Sequence, residues 1–171
     1  MKTITKICVL AAFLTAGVCS AESKDEPAKF FHLDFVVKEV DEGRVINSRS
    51  YSMVTSSSER YGPPSVRTGS KVPIQKGGTD GVTFIDVGVS FDCRFEGEVG
   101  NSVLLHVGAD ISSIAPGSET SSSNLLPPVI RQNRWSSSVI VPIGKPTTIY
   151  SSDDMTSKRK VQIEVTATPI T

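Results

Sequence analysis

The chain is short of the residues on which most site chemistry depends. It has three cysteines, two histidines and one tryptophan in 171 residues. Cys8 and Cys19 lie in an N-terminal segment that reads as a removable signal, so only Cys93 is expected in the exported chain. One cysteine makes no internal disulfide, even in an oxidising compartment. His32 and His106 stand apart from each other and from any run of carboxylates, whereas metal sites gather several ligands at short spacing; no metal and no cofactor are expected. No Gly-x-Ser-x-Gly turn, phosphate-cradling glycine loop or zinc-protease helix occurs. The serines read as loop filler, as in Ser56 to Ser58, Ser121 to Ser123 and Ser136 to Ser138. No catalytic residue and no small-molecule substrate are assigned.

An excess of charge is missing too. Lys plus Arg and Asp plus Glu both number 18, and removing Lys2 and Lys6 with the signal leaves a net charge of −2. A protein that tracks phosphates carries a basic stripe, so nucleic acid is not an expected partner. Lys158-Arg159-Lys160, after Asp153-Asp154, reads as a solvated strand start. Asp86, Asp92, Glu96 and Asp110 read as a solvated strand face. No segment sustains a 3.6-residue apolar period, which excludes a helical bundle.

What is present begins with export. Lys2 and Lys6 precede an apolar run from Ile7 to Val18 and the small residues Cys19-Ser20-Ala21. That order describes a secretory signal peptide over residues 1–21, and the run falls short of the ~20 residues a membrane-spanning helix needs. The alternative is lipid attachment through Cys19, for which the preceding Val18 is a poor fit. Residues 22–29 are charged, small and Pro-containing and read as a flexible leader. Residues 30–171 remain for a single domain, enough chain for a core without staples.

That domain reads as all-β and mainly antiparallel, with about seven or eight strands in a sheet or sandwich. Phe31, Leu33, Phe35 and Val37 alternate with polar neighbours, Asp41-Glu42-Gly43 makes a turn, and Arg44 to Val54 returns. Further extended stretches fall at Val66 to Ile74, Val129 to Val141, Thr147 to Ser151 and Lys158 to Thr168. The longest signal is a hairpin between Phe84 and Ala115. Ile85, Val87, Val89, Phe91, Cys93 and Phe95 occupy one side of its first strand. Val103, Leu105, Val107, Ala109 and Ile111 repeat that side after a turn at Gly97 to Asn101. Ten prolines and thirteen glycines punctuate the chain at the expected turns.

The candidate contact residues are few. Trp135, which follows Arg131 and Arg134, either anchors a partner or closes one end of the core; Trp and Arg are enriched at binding hot spots. The loop Pro116 to Pro128 carries Leu125 and Leu126, and a loop of that length is often functional.

The order of several motifs resembles the outer-membrane secretins, the channel subunits of type II and type III secretion and type IV pilus systems. The matching stretches are Thr68 to Ile74, Phe84 to Val89, Asp110 to Ile114, Pro128 to Arg134, Val139 to Lys145 and Val161 to Ile170. They span about the last hundred residues. Phe30 to Met53 has no recognisable counterpart in the motifs. Where secretins carry a longer Pro-Leu-Gly segment before the final strand, Ser151 to Lys160 is a short charged turn. The resemblance implies a bacterial envelope protein with a secretin-type sheet. Two readings follow: a periplasmic, non-catalytic module that binds another envelope protein, for which membrane insertion is not expected, or an oligomeric channel component associated with the outer membrane.

Overall fold

The computed structural model describes residues 27–75, 81–115, 128–154 and 158–171. The residues read as a signal peptide, most of those read as a leader, and Leu125 and Leu126 lie outside the described residues. Eight strands follow in order: β1 (Phe30–Asp41), β2 (Arg44–Ser56), β3 (Ser65–Gln75), β4 (Val82–Val99), β5 (Ser102–Ile114), β6 (Ile130–Pro142), β7 (Thr147–Asp153) and β8 (Arg159–Ile170). A single 3₁₀ turn, Glu59–Tyr61, stands between β2 and β3, and the described residues hold no α-helix.

The strands form two four-stranded antiparallel sheets, ordered β2-β1-β8-β7 and β3-β4-β5-β6. The period-two alternation read from the sequence is what packs them. Phe31, Leu33 and Phe35 of β1, with Ile163, Val165 and Ala167 of β8, point inward from the first sheet. Phe91 and Cys93 of β4, Val103, Leu105 and Val107 of β5, and Val141 of β6 meet them from the second. Phe35 stacks on Phe91 at 4.7 Å between centroids, and Phe31 on Phe95 at 5.7 Å. Such pairs add about 0.5–1.5 kcal/mol to the area they bury. Cys93 is walled into this core, and burial pushes its thiol up to about 12, so it packs as a small hydrophobe.

Two turns differ in detail from the sequence reading. The β1–β2 turn is the two residues Glu42 and Gly43, both at positive φ (48° and 82°), which suits a hairpin turn twisted like its strands. The β4–β5 turn is only Gly100 and Asn101, shorter than the Gly97-to-Asn101 turn expected. Gly97 belongs to β4, beside a bulge where the register slips between Phe95 and Gly97.

Candidate protein-docking surface

The second sheet forks. From Val89 onward β4 is bonded to β5, beginning at the pair Val89↔Ile111. Before that point, among the described residues, Val82 to Gly88 pairs only with Gly69 to Gln75 of β3. These seven pairs make a two-stranded arm about 20 Å long at ~3.4 Å per residue.

The fork has a cause in the residues. Gly69 and Gly88 are directly opposed, and the backbones approach so closely that neither admits a side chain. A Cβ on Gly69 would lie 3.1 Å from the Gly88 Cα, and one on Gly88 would overlap the Thr68 carbonyl. Across the gap, where the β4–β5 ladder stops, Ser112 Oγ accepts a hydrogen bond from the Gly88 N–H at 3.0 Å and donates to the Gly88 carbonyl at 3.4 Å. One hydroxyl stands in for the missing strand contact.

The arm is apolar on both faces. Val82 and Phe84 are exposed on the outer side, at 54% and 60%, beside Pro73 on β3. Ile85 and Val87 occupy the inner side with Val72, opposite Ile85, and Ile74, opposite Thr83, and Ile85 is still 37% exposed. A shallow depression of about 420 Å³ lies in the fork, floored by Gly69 and Gly88 and rimmed by Arg67, Lys71, Asp86 and Asp110.

Elsewhere the outer face of this sheet is a ladder of paired charges. Arg67 meets Asp92 at 3.1 Å, Arg94 meets Glu96 at 3.3 Å, and Arg134 meets Asp110 at 2.7 Å. Burial pushes the Asp110 carboxyl up, but the bonds from Gln132 and Arg134 outweigh it and hold the group below its ordinary range. Glu96 is lowered by its hydrogen bond with Ser138, then by Arg94 and His106. The outer face of the first sheet also carries paired polar groups, with Lys38 on Glu164 at 2.6 Å and Asp34 held by Ser52 and His32, next to the exposed Val54.

His106 sits between Ser136 Oγ (3.1 Å, at Nε2) and Ser138 Oγ (3.3 Å, at Nδ1), with Glu96 3.9 Å from Nδ1. Hydroxyl, imidazole and carboxylate thus line up across three strands. They stand on an open sheet face, whose backbone N–H groups lie in the sheet plane, so no pair of donors points at a carbonyl placed above Ser136. The described residues hold no cluster of His, Cys, Asp or Glu fit to hold a metal ion.

The contact residues read from the sequence are not gathered in one patch. Trp135 is half-buried against the core and packs on Tyr150 of the first sheet, 5.7 Å between centroids. Arg131 points to the same side and bridges to Asp154 at 2.8 Å, again linking the two sheets. Arg134 lies on the opposite face, bound to Asp110. The sequence reading missed Val82, Phe84 and Ser112. The signal for the first two was present: they fall on the Asp86 side of the strand, where alternation calls for polar residues.

No protein-family model matches the sequence, and no curated protein does. Solved structures match its fold. The secretin GspD in the ETEC pilotin–secretin complex aligns with a TM-score of 0.56 at 11% identity, over 85% of this chain and 50% of that one. GspD of enteropathogenic Escherichia coli aligns at 0.55 and 10% identity, over 88% and 71%. InvG, the Salmonella SPI-1 type III secretion injectisome secretin, aligns at 0.51 and 10%, over 84% and 64%. The chain therefore spans from half to about seven-tenths of these secretin chains. The fold is secretin-like, and the likeness reaches beyond the last hundred residues that carry the motifs into the region of β1 and β2.

Proposed function

We propose that this protein is a non-catalytic, secretion-associated module, exported to the periplasm, that binds another protein of the bacterial envelope. One observation carries the reading: Val82, Phe84 and Ile85 leave apolar side chains exposed on both faces of the arm, where β4 has a single strand neighbour among the described residues, while the outer faces of both sheets carry paired charges. Large exposed apolar patches mark interaction sites. A sheet lying in a bilayer would present an apolar band to lipid, and Arg or Lys at its midplane costs about 2–4 kcal/mol. Arg67, Arg94 and Arg134 on one outer face and Lys38 on the other favour a molecule that stands in water. The secretin-like fold supports the secretion setting, and the ETEC GspD structure is itself a complex with a pilotin.

A photo-reactive residue in place of Phe84 tests this in cells that express the protein natively. The reading expects an adduct with one discrete envelope protein from that position and none from Thr166, on the outer face of the first sheet. Failure to form any adduct would remove its support.

A second reading, an oligomeric channel component, is favoured by the topology. Each sheet has four antiparallel strands, so β3 and β6 run in opposite directions at the edges of theirs. Copies repeated head to tail would continue an antiparallel sheet without a break. Heat-resistant oligomers in the outer-membrane fraction would establish that reading, whereas release with soluble periplasm would eliminate membrane insertion.

A further inference from the structure

We infer that the edge of β4 opened by the fork, Val82 to Asp86, is a strand-addition site for an extended segment of the partner protein. The inference rests on the docking function proposed above and names where and how the partner is held.

Two hydrogen bonds fix which backbone groups face the open side. The Gly88 N–H points toward β5, to Ser112 Oγ, while the Cys93 N–H points the other way, to the Pro64 carbonyl beside β3. Along a strand these directions alternate, so Val82, Phe84 and Asp86 aim N–H and C=O away from β3 into the fork. Gly88 is satisfied by the serine. The next three have no β5 partner, because β5 pairs with β4 only from Ile111. An edge of unpaired N–H and C=O groups is a template for another strand.

The arm's other edge is blunted. Pro73 pairs opposite Phe84, so by the same alternation its nitrogen faces outward from β3, where it offers no donor. The β4 edge carries no proline and no bulge between Val82 and Gly88. The close approach of Gly69 and Gly88 bends it away from β5, which leaves no strand beside it among the described residues.

Side chains define the occupant. A strand laid along Val82 to Asp86 meets Phe84 on one face and Ile85 on the other, so both of its own faces bury apolar groups. Asp86 is 83% exposed and holds only a loose 3.6 Å contact with Lys71, so a basic residue opposite it is favoured. A second copy offering the same edge, antiparallel about Phe84, would set Val82 against Asp86 instead. Charge complementarity thus selects a different chain: an apolar extended segment with one basic residue.

The probe is the capped pentapeptide acetyl-Lys-Val-Phe-Thr-Val-amide, titrated into the protein and followed by amide hydrogen exchange. Exchange at Val82, Phe84 and Asp86 is expected to slow about tenfold or more, while Thr83 and Ile85, already bonded to β3, stay unchanged. Replacing the peptide's lysine with glutamate weakens the effect, and N-methylating its alternate amides removes it. Protection elsewhere only, none at all, or protection that grows with protein concentration without peptide overturns the inference. Phe84→Pro separates the two proposals, because it deletes an edge donor that β3 does not use; unchanged exchange at Ser90 and Asp92 verifies the fold. If a photo-reactive residue at Ile85 of this variant still captures the envelope partner, docking stands and strand addition fails. If wild-type protein captures none, the docking reading itself fails.

Discussion

From Val89 to Asp92, β4 lies between two strands and under a second sheet; from Val82 to Gly88 it has one strand neighbour among the described residues. Both halves alternate in the same way. Val89 and Phe91 are buried, while Ile85, on the same side four residues before Val89, is 37% exposed. The difference comes from what the chain lays beside each half: β5 and β1 close over one, and the Gly69–Gly88 contact with the Ser112 hydroxyl turns the other aside. Apolar residues in the first half hold the fold together. In the second they remain available to another molecule.

The largest expected contrast between the halves is in stability. Phe91→Ala removes a fully buried ring stacked on Phe35 and should cost about 3–5 kcal/mol in urea unfolding. Phe84→Ala removes a ring that is 60% exposed and should fall within about 0.5 kcal/mol of wild type. Comparable losses at the two sites would mean that the arm packs into the core, and the division would fail.

The bend itself gives the next effect. In Gly88→Ala the new Cβ meets the Thr68 backbone, and a cost of about 1–3 kcal/mol is expected as the strands move apart. Gly97→Ala, where a Cβ meets nothing within 4 Å, should change thermal unfolding by no more than about 0.5 kcal/mol. Equal tolerance of both substitutions would show that the close approach does not set the fork.

How much of this was legible beforehand follows the same division. Alternation in β1, β4, β5 and β8 revealed an all-β fold and most of the core, because burial on one face leaves a period-two trace in Phe31 to Val37 and Val103 to Ala109. The fork left no such trace. It depends on Gly69 meeting Gly88, nineteen residues apart, and on Ser112 reaching Gly88 from another strand. The polar neighbours of Trp135 left two readings open, a partner anchor or a residue closing one end of the core; in the structure Trp135 and Arg131 reach across the sandwich to Tyr150 and Asp154. Adjacent strand residues face opposite ways, so closeness in sequence did not make Arg134 and Trp135 neighbours on one surface.

The smallest effect concerns the charged outer face of the paired half. Asp110 and Glu96 are both held below their ordinary values of 3.8 and 4.5, so each contributes stability that is complete above those values and lost as pH falls through the lowered pKa. Arg134→Gln weakens the grip on Asp110; the pair is partly exposed, so the cost at neutral pH should stay below about 1 kcal/mol. Denaturant midpoints measured from pH 6 down through the carboxylate range should show a shallower acid loss in this variant than in wild type. An identical acid profile would remove Arg134 from the account of that face.

Amide hydrogen exchange on the protein alone tests the central claim most directly, since it reads the two halves of β4 residue by residue. Ser90 and Asp92, bonded toward β5, should exchange only through global unfolding, while Val82, Phe84 and Asp86 exchange close to the rate of unprotected chain. Equal protection along Val82 to Asp92 at low protein concentration would contradict it, because the edge would then already be closed within the chain.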